Sequence, residues 1–276
     1  MGYKSILVHM DDGKHCAARL AVAVDLAQRF GAHLIGLHAL SAIPVPGYVA
    51  TEIGVRTLAE IEAKARNASA ARAEAEFNKA VAGAQLPGSE WRTADNDAVP
   101  ATILNARYAD VVVLGQPGPD DESSINSDFI EHVVLGAGRP AVIVPYAGTF
   151  TTVGKRVLVA WNGGREAVRA LTDAIPVLRE AERVHLMVFN RRSNGQNLPG
   201  ADMGLYLARH GVEVEVSVQA SDDVDVGNQI LSRVADLGID LIVMGAYGHS
   251  RMREMVLGGV TRTIFESMTA PVMMSH

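Results

Sequence analysis

The chain has 276 residues, 48% of them hydrophobic and 20% charged, with a formal net charge of -6 and a pI near 5.8. This composition predicts a folded protein with an ample core, long enough for two domains of about 150 residues, and excludes disordered chains and small disulfide-bonded scaffolds. The lack of a basic run disfavours nucleic-acid partners, no apolar stretch approaches the roughly 20 residues of a membrane span, and a single cysteine without a secretion leader favours a cytoplasmic protein.

The first half of the chain alternates predicted strands with predicted helices. The strands are predicted at residues 5–9, 34–39, 90–93, 111–115 and 141–144. Between the second and third strands, residues 51–83 are rich in Ala, Glu, Lys and Arg and contain no proline, which predicts one long helix. This helix would either mediate dimerisation between chains or only cover one face of the sheet.

The second half repeats this plan after a short linker at residues 148–154. Its strands are predicted at residues 156–160, 184–189, 213–219, 241–245 and 271–274. The segment ADVVVLG before the last helix of the first half corresponds to IDLIVMG in the second. We therefore predict two domains, residues 1–147 and 155–276. Alternating strands and helices imply an α/β fold with a parallel sheet in each half and helices on both faces.

Glycines cluster after the fourth strand of the second half. Gly245 and Gly248 follow that strand directly, and Gly258 and Gly259 precede an amphipathic run at residues 260–269. Glycines there let the backbone approach a ligand, and a glycine pair at a helix start aims free N–H groups at an anion. The pattern predicts a nucleotide phosphate site. The alternative is that these glycines serve only turns and helix termini.

Neither of the two standard phosphate-binding fingerprints is present. The chain has no P-loop, and no Gly-x-Gly-x-x-Gly follows the first strand of either half. A generic NTPase or a dehydrogenase is therefore disfavoured.

Three segments of the second half resemble the universal stress protein family: VMGAYGHSR at 243–251, VLGGVTR at 256–262 and APV at 270–272. The duplication resembles the tandem two-domain members of that family. The resemblance implies a five-stranded parallel sheet of order 3-2-1-4-5 in each half, of the adenine nucleotide alpha hydrolase-like type. In this order the last strand of each half lies at a sheet edge. We expect those two strands to pair and to form an intramolecular pseudo-dimer.

Some members of the family bind ATP or a related adenine nucleotide beside strands one and four. Carried onto this sequence, the resemblance assigns a nucleotide site in the second half to Ala160, Asn162, Met244, Gly245, Gly248, His249, Arg251, Gly258, Gly259, Val260 and Thr261.

The sequence departs from the family's nucleotide-binding pattern at two positions. Gly259 stands where the pattern has Ser or Thr, which removes a hydrogen bond worth about 0.5–1.5 kcal/mol but leaves Thr261 nearby. Asn162 stands where relatives often carry Asp, and its amide can still donate and accept hydrogen bonds. Binding is expected to be weakened by these changes and not abolished.

The first half lacks the second glycine pair. Gly115 and Gly118 persist, but Ser127 and Asp128 align with the positions of the glycine pair in the second half. Four acidic side chains in this region would repel a phosphate: Asp120, Asp121, Glu122 and Asp128. We predict that the first half binds no nucleotide and serves as a structural partner or binds something else.

We therefore expect a stress-response protein that binds ATP or another adenine nucleotide, with or without Mg²⁺, and acts as a sensor or binding module. A nucleotide-free interaction scaffold of the same fold is the alternative. A slow ATPase is a third and less favoured one, because no acid, base or nucleophile is evident and His249 and Arg251 fit a solvated loop as well as a phosphate contact. No catalytic residue and no metal ligand is assigned. A homodimer is a further expectation.

Overall fold

The computed structural model describes residues 2–39, 55–94, 97–118, 127–189, 200–219, 225–247 and 259–276. The strands of the first half are β1 (Ser5–Met10), β2 (His33–Ala39), β3 (Ser89–Ala94), β4 (Val111–Gly115) and β5 (Ala141–Val144). Its helices are α1 (Cys16–Phe30), α2 (Val55–Ala82), α3 (Ala98–Ala106) and α4 (Ser127–Ala137). The strands of the second half are β6 (Arg156–Trp161), β7 (Arg183–Phe189), β8 (Glu215–Gln219), β9 (Leu241–Gly245) and β10 (Val272–Ser275). Its helices are α5 (Arg165–Leu178), α6 (Ala201–Arg209), α7 (Val226–Leu237) and α8 (Gly259–Ser267).

The strands form one continuous sheet of order β3-β2-β1-β4-β5-β10-β9-β6-β7-β8. Within each half the order is 3-2-1-4-5 and neighbouring strands are parallel, so the predicted fold class and strand order are confirmed. The halves join through an antiparallel pair, in which Ile143 of β5 lies opposite Val272 of β10. The expected pairing of these two strands is confirmed, and it merges the two expected sheets into one.

Helices cover both faces of this sheet, as expected. Side chains of α1, α2, α5 and α6 pack on one face, and those of α3, α4, α7 and α8 pack on the other. Along β4, Val113 contributes to the first layer and Leu114 to the second, as the alternation of a strand requires. Each layer contains residues of both halves. The hydrophobic core therefore runs across the β5–β10 junction and stabilises the halves together.

The long helix predicted in the first half is present as α2. Its C-terminal part packs through Ala73 and Phe77, and a Cβ atom at Gly36 of β2 would lie 2.8 Å from the Phe77 ring. Its N-terminal part is mostly exposed, including Ile61. Dimerisation through α2 stays a prediction. Within the described part of the chain, no helix combines the length and apolar character that a membrane span requires.

A repeated aspartate ties the start of the fourth strand to the start of the first in each half. In the second half, the Asp240 carboxylate accepts hydrogen bonds from the backbone N–H groups of Gly154, Lys155 and Arg156, each at 3.0 Å. In the first half, Asp110 accepts two such bonds, at 2.7 and 3.1 Å. The sequence carried this signal, because both aspartates directly precede the apolar run of their strand.

Replacing Asp240 with Asn is expected to lower the free energy of unfolding by about 2–3 kcal/mol, since hydrogen bonds to a charged group are worth about 1.5–3 kcal/mol. The asparagine amide keeps one acceptor oxygen, but its NH2 group replaces the other oxygen and faces backbone N–H groups that are also donors. Urea denaturation would measure the change. Asp236→Asn is the matched control, because Asp236 forms an exposed ion pair with Arg233, whose loss should cost less than about 1 kcal/mol. Equal effects of the two substitutions would contradict this role of Asp240.

Candidate functional site

The carboxyl ends of β6 and β9 lie side by side in the second half. Ala160 of β6 is in register with Met244 of β9, and Met244 is buried. Beyond β6, the Asn162 side-chain oxygen accepts a hydrogen bond from the Gly164 backbone N–H at 2.8 Å. This bond shapes the turn into α5 and leaves the amide nitrogen of the exposed Asn162 side chain able to donate to a ligand.

Gly245 is required by the packing of α5 on β9. A Cβ atom at this position would lie 2.5 Å from the backbone nitrogen of Ala167 and 2.6 Å from the carbonyl carbon of Glu166. Real Cβ atoms do not approach backbone atoms so closely, so only glycine fits without a shift of the helix. The structure thus gives Gly245 a packing role, and its role in ligand approach stays a prediction.

Two residues at this edge were not among those predicted. Tyr247 has φ 59°, and among the described residues no other non-glycine residue has a positive φ. His276 lies beside it, with Nδ1 3.1 Å from the Ala246 carbonyl oxygen. Burial and the nearby carboxylates of Glu131 and Asp128 raise the pKa of Tyr247, which keeps the hydroxyl protonated. Strained backbone of this kind concentrates at functional sites, and the position of Tyr247 between two motif glycines was the signal available in the sequence.

Helix α8 brings backbone donors to the same edge. Gly259, Val260 and Thr261 are its first three residues, and N–H groups at these positions have no partner within a helix. Gly259 is exposed, and a Cβ atom there would meet nothing within 4 Å. Thr261 is only 3% exposed, so its hydroxyl is closed off from a ligand in this structure. Among the residues that the structure describes, none closes this helix start to an anion.

The remaining predicted site residues lie outside the described part of the chain. They are Gly248, His249, Arg251 and Gly258.

Among the described residues, an acid and a base of α5 lie next to the end of β9. Arg165 and Glu166 form an ion pair at 2.6 Å, in which Glu166 is buried and Arg165 is mostly exposed. Burial alone would raise the pKa of Glu166, but the hydrogen bond from Arg165 outweighs it and lowers that pKa. Glu166 is therefore ionised at neutral pH. An anionic ligand would meet this charge and its compensating guanidinium together.

The corresponding edge of the first half is filled by a buried ion pair. Asp11 occupies the place of Asn162, and its carboxylate likewise accepts a hydrogen bond from a turn glycine, Gly13, at 2.9 Å. Its other oxygen lies 2.6 Å from Nη2 of Arg19, and the two residues are 5% and 4% exposed. A Cβ atom at Gly115 would lie 2.6 Å from Nη1 of Arg19. The guanidinium therefore packs directly on the end of β4.

Two buried histidines extend this polar cluster. The His9 ring lies with Nε2 2.8 Å from the Ala39 carbonyl oxygen, and burial lowers its pKa to about 4. His38 contacts the Ser69 hydroxyl of α2 at 3.2 Å, and burial lowers its pKa as well. Both rings are therefore neutral at pH 7. The second half has Ala160 at the place of His9, so the halves differ chemically where their folds agree.

Known proteins share both the fold and the duplication of this chain. The model of the universal stress protein family matches residues 2–145 and, a second time, residues 154–276. The universal stress protein Slr1230 of Synechocystis sp. is 27% identical over an alignment of 171 residues that covers 59% of this chain and 57% of that protein. The chain thus spans a little more than half the length of this curated relative.

Two solved structures share the whole fold. A universal stress protein from Archaeoglobus fulgidus aligns over 98% of this chain and 97% of its own length, with a TM-score of 0.72 and 16% identity. A second structure, from Pseudomonas aeruginosa, aligns over 99% of this chain and 93% of its own, with a TM-score of 0.58 and 13% identity. At these identities the likeness establishes the fold alone.

Proposed function

Because this chain belongs to the universal stress protein family, we propose that its second half binds ATP or a related adenine nucleotide and that its first half does not. The observation that carries the proposal is the open start of α8. Within the part of the chain that the structure describes, the N–H groups of the first turn have no partner in the helix and no atom obstructs the approach at Gly259, at the carboxyl edge where open parallel sheets bind ligands. Asn162, after β6, would contact the nucleoside.

One feature weakens binding and favours the second candidate, a nucleotide-free scaffold. Gly259 lacks the hydroxyl of the family pattern. The loss of one hydrogen bond removes on the order of 1 kcal/mol, which is a factor of about five in the dissociation constant.

In the first half, the Arg19 guanidinium supports the absence of a nucleotide site. It packs on Gly115, whereas Ala170 occupies the matching position in the second half. The first half then serves as a structural partner, joined to the second as a pseudo-dimer.

The protein would act as a stress-linked sensor or binding module, with ATP hydrolysis slow or incidental. Mg²⁺ would accompany the nucleotide only through its phosphates. Homodimerisation through α2 and a cytoplasmic location belong to the same proposal.

Calorimetric titration with ATP, ADP, AMP and adenosine tests the proposal. We expect one nucleotide per chain for the wild type. Gly259→Glu places a carboxylate at the start of α8 in open space, where an acid favours the helix, and should weaken ATP binding roughly tenfold or more by repulsion. Adenosine binding should be unchanged.

Gly259→Ala is the matched control. It adds only a Cβ atom in open space and should alter the dissociation constant less than about twofold. Absence of heat with every ligand in the wild type would contradict nucleotide binding and favour the scaffold. Two nucleotides per chain would contradict the proposed inactivity of the first half.

A further inference from the structure

A buried glutamine of the first half connects to the last helix of the second. Gln116 follows β4 directly and is 5% exposed. Its side-chain Nε2 donates to the Phe265 carbonyl oxygen at 2.5 Å, and its Oε1 accepts from the Tyr146 backbone N–H at 3.1 Å. Its own N–H donates to the Val144 carbonyl at 2.8 Å. Both ends of the amide are therefore held, one by each half of the chain.

The carbonyl that Gln116 contacts lies in the last turn of α8. Phe265 is among the last four residues of this helix, whose carbonyl groups have no partner within it. The first half thus supplies a cap to the C-terminal end of the helix whose N-terminal end forms the candidate site. Since α8 has nine residues and is about 13 Å long, a displacement of its last turn would move its first turn as well if the short helix shifts as a rigid body.

The side-chain hydrogen bond of Gln116 has no counterpart at the corresponding position of the second half. The residue that corresponds to Gln116 in the second half is Ala246, whose methyl group can neither donate nor accept a hydrogen bond. No matching bond from Ala246 to α4 can form. The two halves therefore differ here as they do at their carboxyl edges.

We infer that Gln116 is a positioning residue for the nucleotide site, so that the affinity of the second half depends on a hydrogen bond from the first. This inference rests on the proposed function. It gives the first half a role beyond closing the sheet: it fixes the orientation of α8, and with it the N–H groups that would receive the phosphates.

The test compares nucleotide affinity in full-length Gln116→Glu and wild type. The ionised carboxylate still accepts from the Tyr146 N–H, but it cannot donate to the Phe265 carbonyl oxygen and its buried charge repels that oxygen, so the contact with α8 is lost. Couplings carried by such networks change affinity by roughly two- to thirtyfold, and we expect a weakening in this range for ATP. In the absence of nucleotide, the amides of α8 should exchange hydrogen faster while those of α5 keep their rates. Gln116→Asn, which is one methylene shorter, serves if the first variant does not fold, and should act in the same direction.

Arg29→Gln is the matched control. Arg29 also joins the halves, through the Val153 carbonyl and Glu180, but it contacts no residue of α8. It should lower thermal stability and leave ATP affinity unchanged. An ATP affinity in Gln116→Glu equal to that of the wild type would overturn the inference while leaving the proposed function intact. A wild type that binds no nucleotide would overturn both. A loss of affinity common to Gln116→Glu and Arg29→Gln would reduce Gln116 to one of many residues that hold the halves together, and would also overturn the inference.

Discussion

Gly245→Ala is expected to destabilise the protein by about 3 kcal/mol or more, at the upper end of the cost of overpacking a core. The new methyl carbon would lie 2.5 Å from the Ala167 nitrogen and 2.6 Å from the Glu166 carbonyl carbon. Both are backbone atoms in the first turn of α5, so no rotamer change relieves the contact. Either α5 moves away from β9 and its buried face separates from the sheet, or the second half does not fold. Urea denaturation followed by circular dichroism measures the loss.

Two other glycines provide graded controls. Gly259→Ala should change stability by less than about 0.5 kcal/mol, because its Cβ atom points into open space. Gly115→Ala should fall between the two, since the atom that it meets is the terminal nitrogen of the Arg19 side chain and not a backbone atom. A Gly245→Ala protein as stable as Gly259→Ala would show that α5 shifts freely, and would contradict the packing role.

The packing of α5 on Gly245 also affects how nucleotide-binding experiments on glycine variants are interpreted. Glycines of one motif have different roles: α5 packs against Gly245, whereas no described residue packs against Gly259. A loss of nucleotide binding on substituting Gly245 would report a displaced α5 and not a lost contact. The substitution of Gly259 is the informative one, because the fold tolerates a side chain there.

Most of the fold could be predicted from the sequence because the chain repeats itself. Two sets of five strands, the long α2 and the pairing of β5 with β10 were predicted from periodicity, the duplication and a family resemblance. Element boundaries were less accurate. Strand β8 was predicted from residue 213 but begins at Glu215, where pairing with His185 of β7 starts. The preceding Val212 N–H is bonded to the Leu207 carbonyl, which completes the end of α6 instead.

The long-range polar contacts were beyond sequence reasoning. The bond from Gln116 to Phe265 spans 149 positions, and nothing local to either residue indicates it. Arg19 lies in the mostly apolar helix α1, where an arginine is normally exposed, and only the packing of α1 on β4 shows that its charge is buried. Whether a polar residue faces solvent or a partner depends on tertiary contacts that a single sequence does not display.

Asp11→Ala is expected to cost about 3–5 kcal/mol, the range found when one member of a buried ion pair is removed. The carboxylate lies 2.6 Å from Nη2 of Arg19, and burial of both residues leaves the guanidinium no solvent to replace it. The cost thus arises chiefly from the charge left behind. Replacing both partners, as in the double variant Asp11→Leu with Arg19→Met, removes that charge and should lie within about 1 kcal/mol of the wild type or above it.

The pH dependence of stability separates the ion pair from simple packing. Burial would raise the pKa of Asp11, but the charge of Arg19 outweighs it and holds that pKa below its usual value. The pair therefore contributes its full stability above about pH 4, the pKa of an unfolded aspartate, and loses it as the pH falls through the lower folded pKa. Denaturation curves of the wild type should show this additional loss at acid pH, and those of the double variant should not. If Asp11→Ala and the double variant were equally destabilised, the loss of stability would come from lost packing. The unpaired charge of Arg19 would then not account for it, and the buried ion pair would not be an energetic difference between the two halves.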